Sequence, residues 1–297
     1  MKILVTGSGG QLGRAISACI QSSPAGRDTE MINTEAGATA TALNLPMLDI
    51  TDIDHVTKIV RETAPDVIIN CAAYTAVDKQ EKDEDTAYRI NAVGPRNLAI
   101  AATEIGARLV HVSTDYVFDG KGTRPYIEFD PTGPVSVYGR TKLAGEQFVR
   151  DFSNRFFILR TAWLYGNGNN FLRTMLKLSE THDVLNVVED QLGTPTTAKE
   201  LAKAILSLYN TDNYGIFHAT CEGSCSWADF AEKIFEKTGK KTKVTRVTSA
   251  RYKELNPQSA DRPAYSILDN YMFRLTNGYL FADWEQALDE YIREDLK

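Results

Sequence analysis

The first thirteen residues, MKILVTGSGGQLG, constrain the fold more than any other stretch. ILVTG is a short β-branched run of the kind that forms a buried strand. Gly7, Gly10 and Gly13 follow at three-residue spacing, with Gly9 extra, and GGQLGRAISACIQSS then turns helical. Strand, glycine turn and helix in that order bring backbone N–H groups to a helix N-terminus. A pyrophosphate can approach there only if no side chain intervenes. A glycine-rich turn with no ligand would be written in the same letters; the placement between an N-terminal strand and a helix favours the nucleotide.

The same rhythm continues. DITDIDHVTKIVRETA reads as a helix opened by a capping Thr51 or Asp52, PDVIINCAAY as a buried strand, and DEDTAYRINAVGPRNLAIAATEIG as a helix. ARLVHVSTDYVFDG is a strand running into a polar turn, PVSVYGRTKLAGEQFVRDF a helix, RFFILRTAWLYG a strand, AKELAKAILSLY a helix and GIFHAT a strand. Such alternation predicts an α/β fold, a doubly wound parallel sheet of Rossmann type with helices on both faces. After Thr220 the alternation fades, and SWADFAEKIFEKTG and FADWEQALDEYIRED are amphipathic helices. We expect a dinucleotide-binding domain of residues 1–165 plus about 195–220. A smaller substrate-binding lobe would comprise about 166–194 plus 221–297. Residues 34–46, TEAGATATALNLP, form a small-residue loop that interrupts the usual second strand.

Composition narrows the function classes. A length of 297 residues fits one large domain or two modest ones, and net charge −6 with no basic patch argues against a nucleic-acid groove. Cys221 and Cys225 have no second pair to complete a metal site, so they and Cys19 and Cys71 read as reduced thiols. His55, His111, His182 and His218 show no metal-ligand spacing, and no nucleophile elbow is present. No apolar run approaches a membrane span, and KILVTG is too short for a signal core. The expectation is a cytoplasmic protein with no required metal, no nucleic acid and no membrane.

At the nucleotide end, Glu35 is the nearest acid that would favour an unphosphorylated ribose, whereas Arg14, directly after Gly13, would suit a 2′-phosphate. The two cues disagree, which leaves the cofactor choice open. Asp49 with Ile50 has the look of an adenine-contact pair, and equally of a loop residue or cap. Ala72 and Ala73 end their strand with small side chains, leaving room either for a flat ligand or for close helix packing.

At the chemical end, Tyr138 and Lys142 stand at i and i+4, on one helix face. A phenol near its ordinary pKa is a guarded acid; an adjacent ammonium stabilises its phenolate and makes proton exchange with a carbonyl or alcohol oxygen feasible. By composition, about one Tyr-x-x-x-Lys is expected by chance in such a chain, so the spacing alone decides nothing. Context adds Ser113, Thr114 and Asp115 at the end of the preceding strand, where a hydroxyl can bind the oxygen that Tyr138 protonates, or simply make local turn bonds.

The glycine loop, NCAAY, STDYVF and YGRTKLAGE together resemble the extended short-chain dehydrogenase/reductases. More narrowly, GGQLG, AAYTAVDKQE, STDYVFDG, VYGRTKLAGE, RTAWLYG, NNF, DQLGTPT and ADRPAYS are similar to the dTDP-4-dehydrorhamnose reductases, over Met1 to about Leu268. The resemblance implies hydride transfer from NADPH or NADH to C4 of a dTDP-4-keto-6-deoxysugar, giving dTDP-L-rhamnose. It makes Tyr138 the proton donor, Lys142 the holder of the nicotinamide ribose that depresses the Tyr138 pKa, and Thr114 the partner of the substrate oxygen. The cofactor set it implies is Gly7, Gly10, Gln11, Leu12, Gly13, Asp49, Ile50, Ala72, Ala73 and Thr75, with Tyr138 and Lys142. The substrate set is Thr114, Asp115, Trp163, Asn170, Gln191 and Arg262. Metal-linked dimers occur in such proteins through C-terminal acids, but DEYIREDLK offers no clear match, and the chain is expected to be a monomer or homodimer. The alternatives are another sugar-nucleotide epimerase or reductase, or a non-catalytic regulatory subunit of the methionine adenosyltransferase type. A dehydratase would carry an acidic pair after the threonine, and Tyr116 follows Asp115 here.

Overall fold

The computed structural model describes residues 1–22, 29–33 and 48–296; the 34–46 loop and Glu35 lie outside the described residues. Its centre is a six-stranded sheet: β1 (Lys2–Thr6), β2 (Glu30–Asn33), β3 (Val67–Asn70), β4 (Arg108–Thr114), β5 (Phe156–Thr161) and β6 (Gly215–His218). The spatial order is β6-β5-β4-β3-β1-β2, and every pairing is parallel. The doubly wound parallel sheet expected from the alternation is therefore present. The order reverses between β1 and β3, which opens a crevice at their carboxyl ends.

Side chains alternate across the sheet with the two-residue period of a strand. Ile3 and Val5 face α1 (Gln11–Ser22), packing with Ile16 and Ile20 in a core that also holds Phe157 and Phe217. Leu4, between them, points the other way, into a second core with Ile68 and Ile158. That face is covered by α2 (Ile53–Thr63), α3 (Gly94–Ile105) and α4 (Val137–Phe152), through Val56, Leu98 and Val149. Helix α5 (Ala198–Leu208) returns to the α1 side with Leu201 and Ile205. Each such aliphatic side chain contributes about 1.5–3 kcal/mol by leaving water. Asp52, rather than Thr51, caps α2, accepting from the Asp54 and His55 amides. Ser136 caps α4 through the Gly139 amide at 3.2 Å, which fixes where the turn carrying Tyr138 begins.

The smaller lobe has a core of its own, in which Leu172, Met175, Leu185, Phe230, Ile234 and Leu288 meet. Its helices are Phe171–Leu178, Trp227–Thr238 and Trp284–Asp295, and Val184–Val188 pairs in parallel with Lys243–Val247. The helix at Trp227 opens with a capping box between Ser226 and Asp229. Phe273 and Phe281 pack back into the α1-side core, so the chain returns to the sheet before its last helix.

Candidate active site

A cleft of about 1080 Å³ runs between the carboxyl ends of the strands and the smaller lobe. Its nucleotide end is shaped by Gly7, whose φ of +64° is a left-handed conformation that favours glycine. A methyl group there would stand 2.7 Å from the Ala72 nitrogen, across the β1–β3 crevice. Gly10, Gln11, Leu12, Gly13, Ala72, Ala73 and Thr75 all line the same wall. The cradle that a side chain would fill, together with bare amides at the start of α1, fits a dinucleotide pyrophosphate.

Not every residue of the expected cofactor set reaches this wall. Asp49 accepts from the Thr51 amide at 2.9 Å and the Thr51 hydroxyl at 2.8 Å, which lower its carboxyl pKa. It does the work of a turn residue before α2, and Ile50 is buried in the α2–α3 core; neither lines the cleft. Arg14 does line it, with its guanidinium donating to the Gly9 and Asn167 carbonyls.

The chemical end is built by β4 and α4. Thr114 ends β4 and donates to Asp115 Oδ1 at 2.8 Å. Tyr138 and Lys142 occupy one face of α4, and all four side chains line the cleft. Burial pushes the Tyr138 phenol up to about 12, opposed by the Thr114 hydroxyl. Burial pushes Lys142 down to about 8, opposed by Glu146 and Cys71, while its Nζ donates to the Val112 carbonyl at 2.6 Å. Besides burial, the groups acting on the Tyr138 phenol are Thr114 and Asp115. The ammonium is turned to the end of β4, and burial dominates the phenol. Burial also raises the Asp115 carboxyl to about 6, with the Ser266 and Thr114 hydroxyls opposing.

On the lobe side, Trp163 stacks on Trp227 with ring centroids 3.5 Å apart, and both rings line the cleft. Gln191 also lines it and donates to the Ser249 hydroxyl at 2.9 Å. Arg262 reaches Asp78 at 2.8 Å and the Ser259 hydroxyl at 2.6 Å, bridging the lobe to the short helix Val77–Gln80 that follows β3. Asn170 does not line the cleft. It caps the 171–178 helix through the Arg173 amide at 3.0 Å, holds the Gly166 carbonyl at 2.8 Å and bonds Gln11, so it ties the lobe to the glycine loop. Among the described residues no group of three or more His, Cys, Asp or Glu could hold a metal ion, and no helix is long and apolar enough to cross a membrane.

Sequence reasoning missed four residues. Tyr116 meets Tyr138 edge-on at 5.4 Å, and its place in STDYVF was the available signal. Trp227 opens an amphipathic helix, where an aromatic reads as core. Glu146 lies two turns beyond Tyr138 on the same face of α4, and Arg160 sits inside an otherwise apolar strand.

The family profile described as "RmlD substrate binding domain" matches residues 1–296. The chain is 42% identical over 294 residues to the spore coat polysaccharide biosynthesis protein SpsK of Bacillus subtilis, covering 99% of this chain and 97% of that one. A crystal structure of a dTDP-4-dehydrorhamnose reductase from Clostridium acetobutylicum superposes with TM-score 0.90 at 49% identity, over 99% of both chains. The dTDP-4-dehydrorhamnose reductase of Bacillus anthracis, solved in complex with NADP, gives TM-score 0.89 at 40% identity, again over 99% of both chains. With that coverage and those identities, the chain belongs to the RmlD family, alongside the dTDP-4-dehydrorhamnose reductases.

Proposed function

We propose that the chain is an NAD(P)H-dependent reductase that converts the C4 ketone of dTDP-4-dehydro-β-L-rhamnose to the alcohol of dTDP-β-L-rhamnose, the last step of dTDP-rhamnose synthesis. The observation that carries this reading is the meeting of Thr114, Tyr138 and Lys142 in the cleft whose other end is the Gly7 cradle. Family membership and the NADP complex of the Bacillus anthracis relative support it.

The bound nicotinamide supplies the hydride to C4. The protein's own groups do the rest. Thr114 Oγ1 orients the ketone oxygen. The Tyr138 hydroxyl, protonated at neutral pH, gives its proton to that oxygen as the C–H bond forms, so ketone becomes alcohol and the phenol becomes phenolate. Lys142, fixed on the Val112 carbonyl, presents a buried cation one helical turn from that phenolate and a donor for the ribose. Gly7, Gly10, Gln11, Leu12 and Gly13 hold the pyrophosphate, and Ala72, Ala73 and Thr75 flank the nicotinamide half. Asp115, Trp163, Gln191 and Arg262 face the nucleotide sugar.

In this reading residues 1–165 with about 195–220 carry the cofactor, and 166–194 with 221–297 the substrate. The protein works in the cytoplasm as a monomer or homodimer, which light scattering resolves. The decisive assay follows NADPH and NADH oxidation with the 4-keto-rhamnose nucleotide and identifies the product by NMR. No substrate-dependent oxidation with either cofactor would refute the reading and return the regulatory-subunit alternative. Firmly bound oxidised cofactor on purification, visible by absorbance, would instead point to an epimerase.

A further inference from the structure

Helix α4 is stitched to the ends of β4 and β5 by a row of contacts at four-residue intervals. Lys142 Nζ donates to the Val112 carbonyl at 2.6 Å. One turn later, Glu146 accepts from the Ser113 hydroxyl. Glu146 is also gripped by Arg160, through Nη2 at 2.7 Å and Nε at 3.0 and 3.2 Å. Arg160 stands opposite Ser113 in the β4–β5 register, and its guanidinium lies 5.2 Å from the Phe118 ring centre. Lys142, Glu146 and Arg160 are each at most 3% exposed. A buried charge is tolerated only with a partner, and this cluster holds two cations against one carboxylate.

We propose that Glu146, clamped by Arg160 and Ser113, is a positioning residue for the reduction: it keeps Lys142 protonated and fixes the turn of α4 that carries Tyr138 beside Thr114. The proposal rests on the reading of Tyr138 and Lys142 given above. Burial alone drives a lysine towards its neutral form, and a carboxylate one turn along the same helix face opposes that. The other titratable groups around the cluster do not take this part. Cys71, from the end of β3, acts on Lys142 in the same direction as Glu146 but comes after it, and its own thiol is pushed up to about 12 by burial and so stays neutral at neutral pH. His111, from β4, is held neutral by burial and by Lys142 itself. His218, from β6, feels Arg160 and is held neutral down to about pH 3, chiefly by burial. Asp115 acts on Tyr138 from the far side of Thr114.

The arrangement explains why Ser113 accompanies Thr114. Both residues line the cleft, but Ser113 spends its hydroxyl on Glu146 and so locks strand to helix, while Thr114 bonds Asp115. It also gives Arg160 a reason to be arginine: its fork matches the carboxylate in two-point fashion, which a lysine does not do.

The test is the pH profile of kcat/KM, with NADPH and the ketosugar, for wild type, Glu146→Gln, and Glu146→Gln/Arg160→Met, which removes both charges of the pair. Without the carboxylate the ammonium is less stable, so Lys142 loses its proton at lower pH. The basic limb then moves down by about 1 pH unit or more in Glu146→Gln, where Arg160 is left unpaired, and by less in the double variant. Basic limbs unmoved in both variants, with only the melting temperature lowered, would overturn the proposal. So would failure of both to fold, because Glu146 would then be a structural ion-pair member only. Lys142→Met separates this from the parent reading: wild-type turnover in that variant defeats the role of Lys142 itself, whatever Glu146 does.

Discussion

Trp163 lies flat on Trp227, with ring planes 8° from parallel, and holds this position from a left-handed backbone of φ +47°. A non-glycine residue there stores strain that the surroundings must hold, and such strain gathers at ligand clamps. Gly193 supplies the room, because a methyl on it would sit 2.5 Å from Trp163 Cε2.

Gly193→Ala therefore displaces the indole while leaving the glycine loop untouched. The KM for the nucleotide sugar is expected to rise about tenfold, equivalent to about 1.4 kcal/mol. NADPH affinity, measured by fluorescence titration, stays at the wild-type value. An unchanged KM would remove Trp163 from the substrate wall.

Tyr138→Phe keeps the ring against Tyr116 and deletes only the hydroxyl that carries the proton. Its kcat is expected to fall by about 10²–10⁴-fold. NADPH titration should show binding retained, since the pyrophosphate cradle is elsewhere. Turnover at the wild-type rate would end the proton-donor role.

Gly7→Ala meets two obstacles, the left-handed φ and the Ala72 backbone. The conformation alone costs about 1–2 kcal/mol, or roughly 2–3 °C in Tm for a chain of this size. The added methyl also intrudes where the pyrophosphate would approach, so the thermal stabilisation that NADPH gives the wild type should shrink or vanish. Calorimetry with and without NADPH checks both.

Asp115 links the site to pH. Burial raises its folded carboxyl from 3.8 to about 6. Between those values the folded state binds more protons than the unfolded chain, so this residue makes stability fall as pH rises through that window. Asp115→Asn keeps an acceptor for Thr114 and removes the buried charge. It should stabilise the protein at pH 7 by on the order of 2–3 kcal/mol. The advantage should disappear near pH 4. Denaturant melts at the two pH values decide it; equal destabilisation at both would show the carboxylate to be well paired.

What the sequence disclosed was whatever is written locally. The glycine spacing, the buried strand runs and the helix bearing Tyr138 and Lys142 each depend on neighbours a few residues apart, and each is found in the structure. The short edge strand Glu30–Asn33 was hidden beside the small-residue loop, since four residues with one neighbour strand carry little pattern. The pairing of Val184–Val188 with Lys243–Val247 depends on chain closure across the lobe. Glu146 and Arg160 stand 14 residues apart in the chain, on a helix and on a strand, and only the fold brings them together and buries them. Asn170 sits within a recognisable motif, yet its side chain is spent on capping and on Gln11, which no spacing rule reveals.

The one-way run of all six strands sets the amino-terminal rim of the sheet opposite the cleft, and Met1 lies there, exposed, just before β1. A surface linker or fusion partner attached through that rim would leave the mouth of the cleft facing solution. The protein can thus be immobilised by its tail end while substrates come and go at the other.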